Sequence, residues 1–452
     1  MNIIIVGCGK VGASLVERLS AEGHDLVVVD ISAKKVEELT NKYDIMGIVG
    51  NGASFAIQQE AGVEKADLFI AVTTADELNL LCCLMAKKLG AKHTVARVRN
   101  PEYFRDAPIL RREIGLDMII NPEYAAAQEI ARILRVPAAF SVESFSRGLV
   151  ELIGFQINER DGLAGKTLID YNHAHPNALL LCAAVRGSEV IVPNGSFVPQ
   201  VGDKVYAIGT PTETLRVFRS MGRDTAPIRK LSILGGGRIA VYLAWALESL
   251  GTRVHIVEWN AEKCLSLAEK LPHATIIHGD CTDTDLLRAE NIFDTDAVVC
   301  ATGRDEENLI LALSALQAGV PKVMPKVSRP NFASIVRKIG IDSPISPKDV
   351  TANMISSYVR GLANSEGSVV ESLHRILGGE IEAVEFIASA ATHFLNTPLR
   401  DINFKSGLLV AAIVHDNKVL IPNGTSQIAE GDRVIVVAKS LFLNDLNDIL
   451  ER

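Results

Sequence analysis

A short glycine-rich turn near the amino terminus is the clearest candidate for chemistry in this chain. It directly follows an apolar run, Asn2–Val6, it opens an amphipathic stretch, and it reads Gly7-Cys8-Gly9-Lys10-Val11-Gly12. In a strand–turn–helix context the first glycine permits the tight turn and the second lets the backbone approach phosphates, while the third lets the helix pack against the strand. The unpaired N–H groups at the start of the helix then attract the phosphates. The turn therefore predicts a dinucleotide site.

An acidic residue about 20 residues further on supports this interpretation. Asp30 follows the second predicted strand, Leu26–Val29. A carboxylate at that point can accept hydrogen bonds from both ribose hydroxyls, and it would repel a 2′-phosphate. The pattern therefore favours NAD over NADP.

The same pattern recurs in the second half of the chain, with Glu258 as the acid and Gly235-Gly236-Gly237-Arg238-Ile239-Ala240 as the turn. This copy departs from the first in having Ala240 as its third small residue. Arg238 inside the turn could either help to hold a phosphate or block it. For both copies the alternative remains open that the glycines serve only the packing of an α/β domain.

Residues at the carboxyl ends of the neighbouring strands should line the same crevice. They are Gly50, Asn51, Thr73, Thr74 and Arg97 in the first half, and Gly279, Asp280, Thr302 and Lys326 in the second. A cation beside a bound phosphate is electrostatically favourable. Arg99 is a further candidate beside Arg97, and the competing interpretation of both arginines is a surface ion pair.

An internal repeat relates the site residues of the first half to those of the second. The glycine turns correspond at an offset of about 228 residues, and the motif Val192-Pro193-Asn194-Gly195 near the end of the first half recurs as Ile421-Pro422-Asn423-Gly424. Repeated similarity at one offset along the whole chain indicates a duplicated architecture. We therefore expect each half to contain the same two lobes.

The first lobe of each half alternates strands with helices, which predicts a doubly wound parallel sheet. Further strands are expected at Ile45–Val49, Leu68–Val72 and Thr94–Val98, and connecting helices at Pro122 to Leu134 and Lys348 to Val359. The second lobe has short strand candidates between turn residues and reads as α+β, with strands at Leu149–Phe155, Ala178–Val185, Val190–Val192 and Lys204–Ile208. The predicted fold is thus α/β, with two Rossmann-like sheets at 1–124 and 230–348, each followed by a small α+β lobe at 144–228 and 368–452.

Composition limits the classes of function. The net charge of −8 across 452 residues argues against a nucleic-acid partner. No stretch reaches the roughly 18 apolar residues of a membrane helix. Seven cysteines without a CxxC pair are typical of a reducing cytoplasm and argue against a zinc site.

These motifs resemble a known family. The glycine turn with Asp30, followed by Gly50 and by Thr73-Thr74-Ala75-Asp76-Glu77-Leu78-Asn79, is similar to the domain that regulates the conductance of potassium channels and transporters, the RCK domain. The smaller lobe, with Pro193-Asn194-Gly195 and Gly202-Asp203, resembles the carboxy-terminal subdomain of that family. Two such units in one chain resemble the regulatory subunits of bacterial Trk-type potassium uptake systems.

The resemblance implies a cytoplasmic protein that lies on the inner face of the cell membrane and forms a homo-oligomeric ring beneath a Trk-type potassium transporter. It implies binding of NAD(H), or of ATP or ADP in the same crevice. By position, Gly7 to Val11, Asp30, Thr73, Thr74 and Arg97 would contact the first nucleotide, and Gly235 to Ile239, Glu258 and Thr302 the second.

Two other functions compete with this one. An NAD-dependent dehydrogenase would need a catalytic acid or base beside the nicotinamide. His173 and His175 are candidates, but the corresponding stretch of the second half, Asp401–Lys405, has no histidine. A regulator of a different channel or efflux system would show the same local motifs, and the tandem arrangement without a membrane segment favours the Trk type.

Overall fold

The structure is a computed structural model that describes residues 1–174, 179–329, 332, 335–336, 339–341, 343–363 and 368–451. The chain forms two compact units. The first unit combines Met1–Ile130 with Lys230–Ser356, and the second combines Ala131–Arg229 with Ser357–Arg452. Equivalent lobes of the two halves are therefore grouped together.

The first unit begins with a six-stranded parallel sheet in the order β3-β2-β1-β4-β5-β6. Its strands are β1 (Asn2–Val6), β2 (Asp25–Asp30), β3 (Met46–Val49), β4 (Leu68–Ala71), β5 (His93–Arg97) and β6 (Met118–Ile120). Its helices are α1 (Lys10–Ala21), α2 (Ala33–Thr40), α3 (Phe55–Glu60), α4 (Asp76–Leu89), α5 (Pro101–Arg105), α6 (Ala107–Ile114) and α7 (Pro122–Arg135). Central strands such as β4 are apolar and buried throughout because helices cover both faces. The sheet confirms the predicted doubly wound fold.

After α7 the chain enters the first small lobe, which lies in the second unit. It comprises β7 (Ser141–Phe145), β8 (Val150–Gln156), α8 (Leu168–Ala174), β9 (Leu180–Arg186), β10 (Glu189–Ile191), β11 (Lys204–Gly209) and α9 (Pro211–Ser220). The antiparallel sheet has the order β10-β9-β11-β8-β7. Strand β7 was not expected, and it begins before residue 144, where we place the start of this lobe from the sequence.

The chain then returns to the first unit. The second sheet region comprises β12 (Lys230–Leu234), α10 (Arg238–Glu248), β13 (Arg253–Glu258), α11 (Ala261–Lys270), β14 (Thr275–His278), α12 (Thr284–Ala289), β15 (Ala297–Cys300), α13 (Asp305–Gln317), β16 (Lys322–Pro325) and α14 (Pro347–Ala363). Within the described residues its parallel sheet has five strands in the order β14-β13-β12-β15-β16. Where the first sheet has β6, the described residues of this one form a parallel bridge between Lys326 and Ile345.

The second small lobe completes the second unit, with β17 (Val369–Ile376), β18 (Ile381–Ile387), β19 (Leu408–His415), β20 (Lys418–Leu420) and β21 (Arg433–Lys439). One apolar cluster joins the two small lobes, and it includes Phe145 and Ile208 from the first lobe and Ile381 and Val437 from the second. Burial of apolar surface therefore holds these lobes against each other. No helix in the described part of the chain is long and apolar enough to cross a bilayer.

The two small lobes secure the same turn with different side chains, an arginine in the first lobe and a histidine in the second. In the first lobe Arg186 donates to the buried carboxylate of Asp203 at 2.7 Å. At the equivalent place in the second lobe, His415 Nδ1 lies 2.5 Å from the buried carboxylate of Asp432. The hydrogen bond to Asp432, followed by the negative charge of that residue, raises the pKa of His415 above its ordinary value of 6.5.

This difference predicts pH-dependent stability of the second lobe. The His415–Asp432 pair stabilises the fold fully below pH 6.5 and loses its contribution as the pH rises through the raised pKa of the folded state. We expect His415→Arg to remove part of the decline in urea midpoint between about pH 6 and about pH 9, because a guanidinium stays charged. Arg186→His is the matched control and should introduce a new decline. An unchanged pH profile in His415→Arg would contradict the assignment.

Candidate functional site

Two glycines of the first turn are required by packing. Gly7 has φ +106°, and a Cβ built on it would lie 2.9 Å from the backbone N of Thr73. A Cβ on Gly12 would lie 1.9 Å from the carbonyl oxygen of Gly7. The first and third glycines therefore hold helix α1 close to the end of β1 whether or not a ligand binds.

The middle glycine has no such explanation. Gly9 has φ −77°, which any residue can adopt, and a Cβ there would meet no atom within 4 Å. Gly237 in the second turn also has φ −77°, and its Cβ would meet only the carbonyl oxygen of Ala301, at 4.0 Å. No side chain caps the helix that follows either turn, so backbone donors of its first turn lack that partner. The open space and these donors together suit the close approach of a phosphate.

The two acids lie against the turns, as the spacing predicts. Asp30 accepts from the backbone N–H of Cys8 at 2.7 Å and of Ser32 at 2.9 Å. Glu258 accepts from the backbone N–H of Gly236 and of Asn260, both at 3.0 Å. Each carboxylate thus stabilises its turn, and an ionised oxygen can accept a second hydrogen bond. Asp30 is partly exposed and keeps this capacity for ribose hydroxyls, whereas Glu258 is buried.

Asparagine side chains that we did not predict as site residues organise the ends of β4 and β5. Buried Asn79 accepts from the backbone N–H of Thr73 at 2.8 Å and donates to the carbonyl of Arg97 at 2.9 Å. Asn308 makes the same two bonds in the second half, with Thr302 at 2.8 Å and Lys326 at 3.0 Å. Their recurrence at the same offset as Thr73 and Thr302 was the signal that could have identified them.

The ion-pair interpretation of Arg97 and Arg99 is correct for Arg99, and among the described residues Arg97 forms no ion pair. Its guanidinium donates to the carbonyl of Thr73, and its Nε is buried without a hydrogen-bond partner among the described residues. Burial, and next the positive charge of Arg99, lower the pKa of Arg97 to about 10. The ion pair belongs instead to Arg99, whose Nε lies 3.4 Å from Asp76, while its guanidinium also donates to the carbonyl of Thr74.

Cations of the two halves act on one another's pKa values here. Arg238 of the second turn is near enough to help lower the pKa of Arg97 in the first half. Burial lowers the pKa of Lys326, and Lys10 of the first turn adds to that effect. The carboxylate of Glu123 acts on both Arg97 and Lys326 in the opposite direction, and its Oε2 has no hydrogen-bond partner among the described residues. Such a set of cations suits the phosphates of a nucleotide.

The remaining predicted site residues have local structural roles. A Cβ on Gly50 would lie 2.4 Å from Ile57, and one on Gly279 would lie 2.2 Å from Leu286, so these glycines make room for α3 and α12. The side chains of Asn51 and Asp280 accept from nearby backbone N–H groups and fix their own turns. The side chains of Cys8, Val11 and Ile239 are buried, and burial raises the pKa of the Cys8 thiol to about 12. These three can offer only backbone atoms to a ligand.

The second turn differs in how its helix begins. Ala240 takes the place of the third glycine, and the first helical hydrogen bond, from Val241 to the carbonyl of Gly237, is 3.3 Å long. The corresponding bond in the first turn, from Ala13 to Gly9, is 2.8 Å. The Ala240 methyl group thus accompanies a looser start of α10. Arg238 is exposed at this start, as Lys10 is in the first turn.

A histidine lies beside the second turn: His278 is the strand partner of Glu258, and its Nε2 lies 3.0 Å from the carbonyl oxygen of Trp259. No group of three metal-ligating side chains occurs among residues that the structure describes. His173 is exposed on α8 in the second unit, whereas His175 lies outside the described residues.

The chain is similar to known proteins in sequence and in fold. Residues 3–122 and 231–347 match the TrkA-N domain, and residues 383–450 match the TrkA-C domain. The chain is 32% identical to Trk system potassium uptake protein TrkA homolog 2 of Methanosarcina mazei, over all of both chains. It is 35% identical to the TrkA homolog of Archaeoglobus fulgidus, over 97% of each.

Among solved structures, the GsuK channel bound to NAD matches 97% of this chain and 77% of its own, with a TM-score of 0.64 and 17% identity. The GsuK RCK domain matches 97% of this chain and 92% of its own, with the same TM-score and 18% identity. At these identities the likeness concerns the fold.

The glycine geometry predicts two different responses to a methyl group. We expect Gly12→Ala to lower the free energy of unfolding by about 1–3 kcal/mol, because backbone must move away from the new Cβ. Gly9→Ala should cost less than about 1 kcal/mol, since the methyl enters open space. Urea denaturation of the full chain measures both changes. Equal losses in the two variants would show that Gly9 is also held by packing.

Proposed function

We propose that this chain, which belongs to the TrkA family of potassium uptake proteins, is a nucleotide-sensing regulatory subunit and not an enzyme. The observation that carries the proposal is that packing does not explain the second glycine of either motif, Gly9 in the first turn and Gly237 in the second. Gly9 and Gly237 lie before open space at the start of an uncapped helix, at the carboxyl end of a parallel sheet. Ligands of doubly wound folds bind at this place.

The nucleotide that these residues fit is NAD(H), with ATP or ADP as the alternative in the same crevice. The backbone N–H groups of the turn and the cation Arg97 would hold the phosphates. Asp30 and Glu258 would hold the adenosine ribose, and a carboxylate there disfavours the 2′-phosphate of NADP. When bound, NAD(H) would act as a signal. The histidine beside the second turn, His278, corresponds to Val49 in the first half, so it is not a shared feature of the two sites.

Binding of the nucleotide must be converted into a change in the shape of the protein or in its affinity for a partner. A ligand shifts an equilibrium between two states only by its differential affinity for them, and a swing from 1:99 to 99:1 takes about 5.5 kcal/mol. We propose that a homo-oligomeric ring supplies this difference by summing several sites. The ring would lie on the cytoplasmic face of the membrane and gate a Trk-type potassium transporter.

The first test is calorimetry of the full chain against NAD, NADH, NADP, ATP and ADP. We expect Gly9→Ala and Gly237→Ala each to weaken one of two sites by at least ~10-fold, because the methyl displaces a phosphate from backbone donors at a cost of ~1.4 kcal/mol. NADP should bind more weakly than NAD in the parent protein. The proposal fails if no adenine nucleotide binds at millimolar concentration.

Tryptophan fluorescence distinguishes the two sites. The chain has two tryptophans, Trp245 and Trp259, and both lie in the second half. Trp259 directly follows Glu258 and its side chain is 70% exposed, so a bound adenosine would lie beside it. We expect NADH to quench this emission in Gly9→Ala but only weakly in Gly237→Ala. The reverse pattern would show that the sites are assigned to the wrong turns.

A further inference from the structure

Tyr242 connects the helix of the second glycine turn to the first half of the chain. It lies on α10, one turn after Arg238, and its side chain is buried. Its hydroxyl donates to the backbone carbonyl of Arg99 at 3.1 Å and accepts from the side-chain amide of Asn121 at 2.8 Å. The ring packs edge-on against Tyr124, with centroids 5.4 Å apart. A residue of one nucleotide-binding domain is therefore fixed to the backbone of the other.

The backbone that Tyr242 contacts belongs to the first site. The N–H of Arg99 donates to Asp76 at 2.8 Å, and the guanidinium of Arg99 donates to the carbonyl of Thr74. Arg97 precedes Arg99 by two residues on the same strand end. A shift of the Arg99 carbonyl would therefore displace the residues proposed to hold the first nucleotide.

The equivalent contact, between helix α1 and the second half of the chain, lacks this hydrogen-bonded bridge. At the positions that correspond to Tyr242 and Asn121, the repeat has Ser14 and Ser346. Ser346 Oγ is buried and has no hydrogen-bond partner among the described residues. Helix α1 instead contacts α14 one turn later, where Arg18 bonds to Asn353 and, at 3.1 Å, to Asp349. Because one copy of the interface packs without the bridge, the hydroxyl is not a general requirement of this fold.

We propose that Tyr242 is a positioning residue that couples occupancy of the two nucleotide sites within one chain. A nucleotide at the second turn orders the start of α10, and the Tyr242 hydroxyl transmits the new position of that helix to Arg99. By linkage the first nucleotide affects the second site by the same factor. This inference rests on the proposed function, because it presupposes that both turns bind nucleotide.

The test is a double-mutant cycle on the full chain. The dissociation constant of NADH at the second site is measured by tryptophan quenching in the parent protein, Gly9→Ala, Tyr242→Phe and the double variant. With Tyr242 present, blocking the first site should change the second-site constant by at least ~5-fold. With phenylalanine the same block should change it by less than ~2-fold.

The readout is the ratio of the second-site dissociation constants with and without Gly9→Ala. A variant that only destabilised the fold would not abolish this difference. Tyr242→Phe keeps the buried ring. Tyr103→Phe is the control, because it removes a tyrosine hydroxyl that interacts with Glu77 within the first nucleotide-binding domain. Thermal melting confirms that each variant is folded. The control should retain the coupling of the parent protein.

Two results would overturn the inference while leaving the proposed function intact. The first is that Gly9→Ala leaves the second-site dissociation constant of NADH unchanged when Tyr242 is present. The second is that Gly9→Ala still changes this constant by ~5-fold or more in Tyr242→Phe. Absence of nucleotide binding at both turns, by quenching and by calorimetry, would overturn the proposed function and the coupling together.

Discussion

The close approach of each glycine turn to the end of its central strand is the constraint on which the site depends. In the first half this approach requires Gly12, whose hydrogen occupies space beside the Gly7 carbonyl that no methyl group could share. The turn keeps its conformation in the second half, where Gly235 has φ +107°, although Ala240 replaces the third glycine. In that half the first helical hydrogen bond of α10 is 3.3 Å long, whereas the corresponding bond of α1 is 2.8 Å long. The two sites are therefore related in design and unequal in geometry.

The two acids illustrate how binding and folding use the same group. Asp30 and Glu258 each accept two backbone N–H bonds that brace the turn, so removing either carboxylate would leave those donors without their partner. A loss of nucleotide binding after such a change would not separate ribose contact from collapse of the turn. The middle glycine separates them, because its substitution alters the space before the turn without removing a bond within it.

Much of the fold follows from local sequence patterns. Apolar runs such as Asn2–Val6 and the repeated glycine turns predict the parallel sheets and the strand ends that meet at the crevice. Strands β6 and β7 were missed because β6 has three residues and β7 carries Ser141, Glu143 and Ser144 among its five. The repeat also identifies equivalent residues without revealing which surfaces meet. The approach of Arg238 to Arg97, and the bridge from Tyr242, depend on tertiary packing that no local pattern encodes.

The cations at the crevice also bear on regulation. Arg97 is largely desolvated and lies near Arg99 and Arg238, and its lowered pKa of about 10 still leaves it charged at neutral pH. The carboxylates of Glu123 and Asp76 offset part of the repulsion between these cations, and an anionic phosphate placed among them would relieve more of it. The relief depends on the separation between cations from the two halves. Any state of the protein that changes this separation would then differ in its affinity for nucleotide, and such a difference is what a regulatory ligand requires.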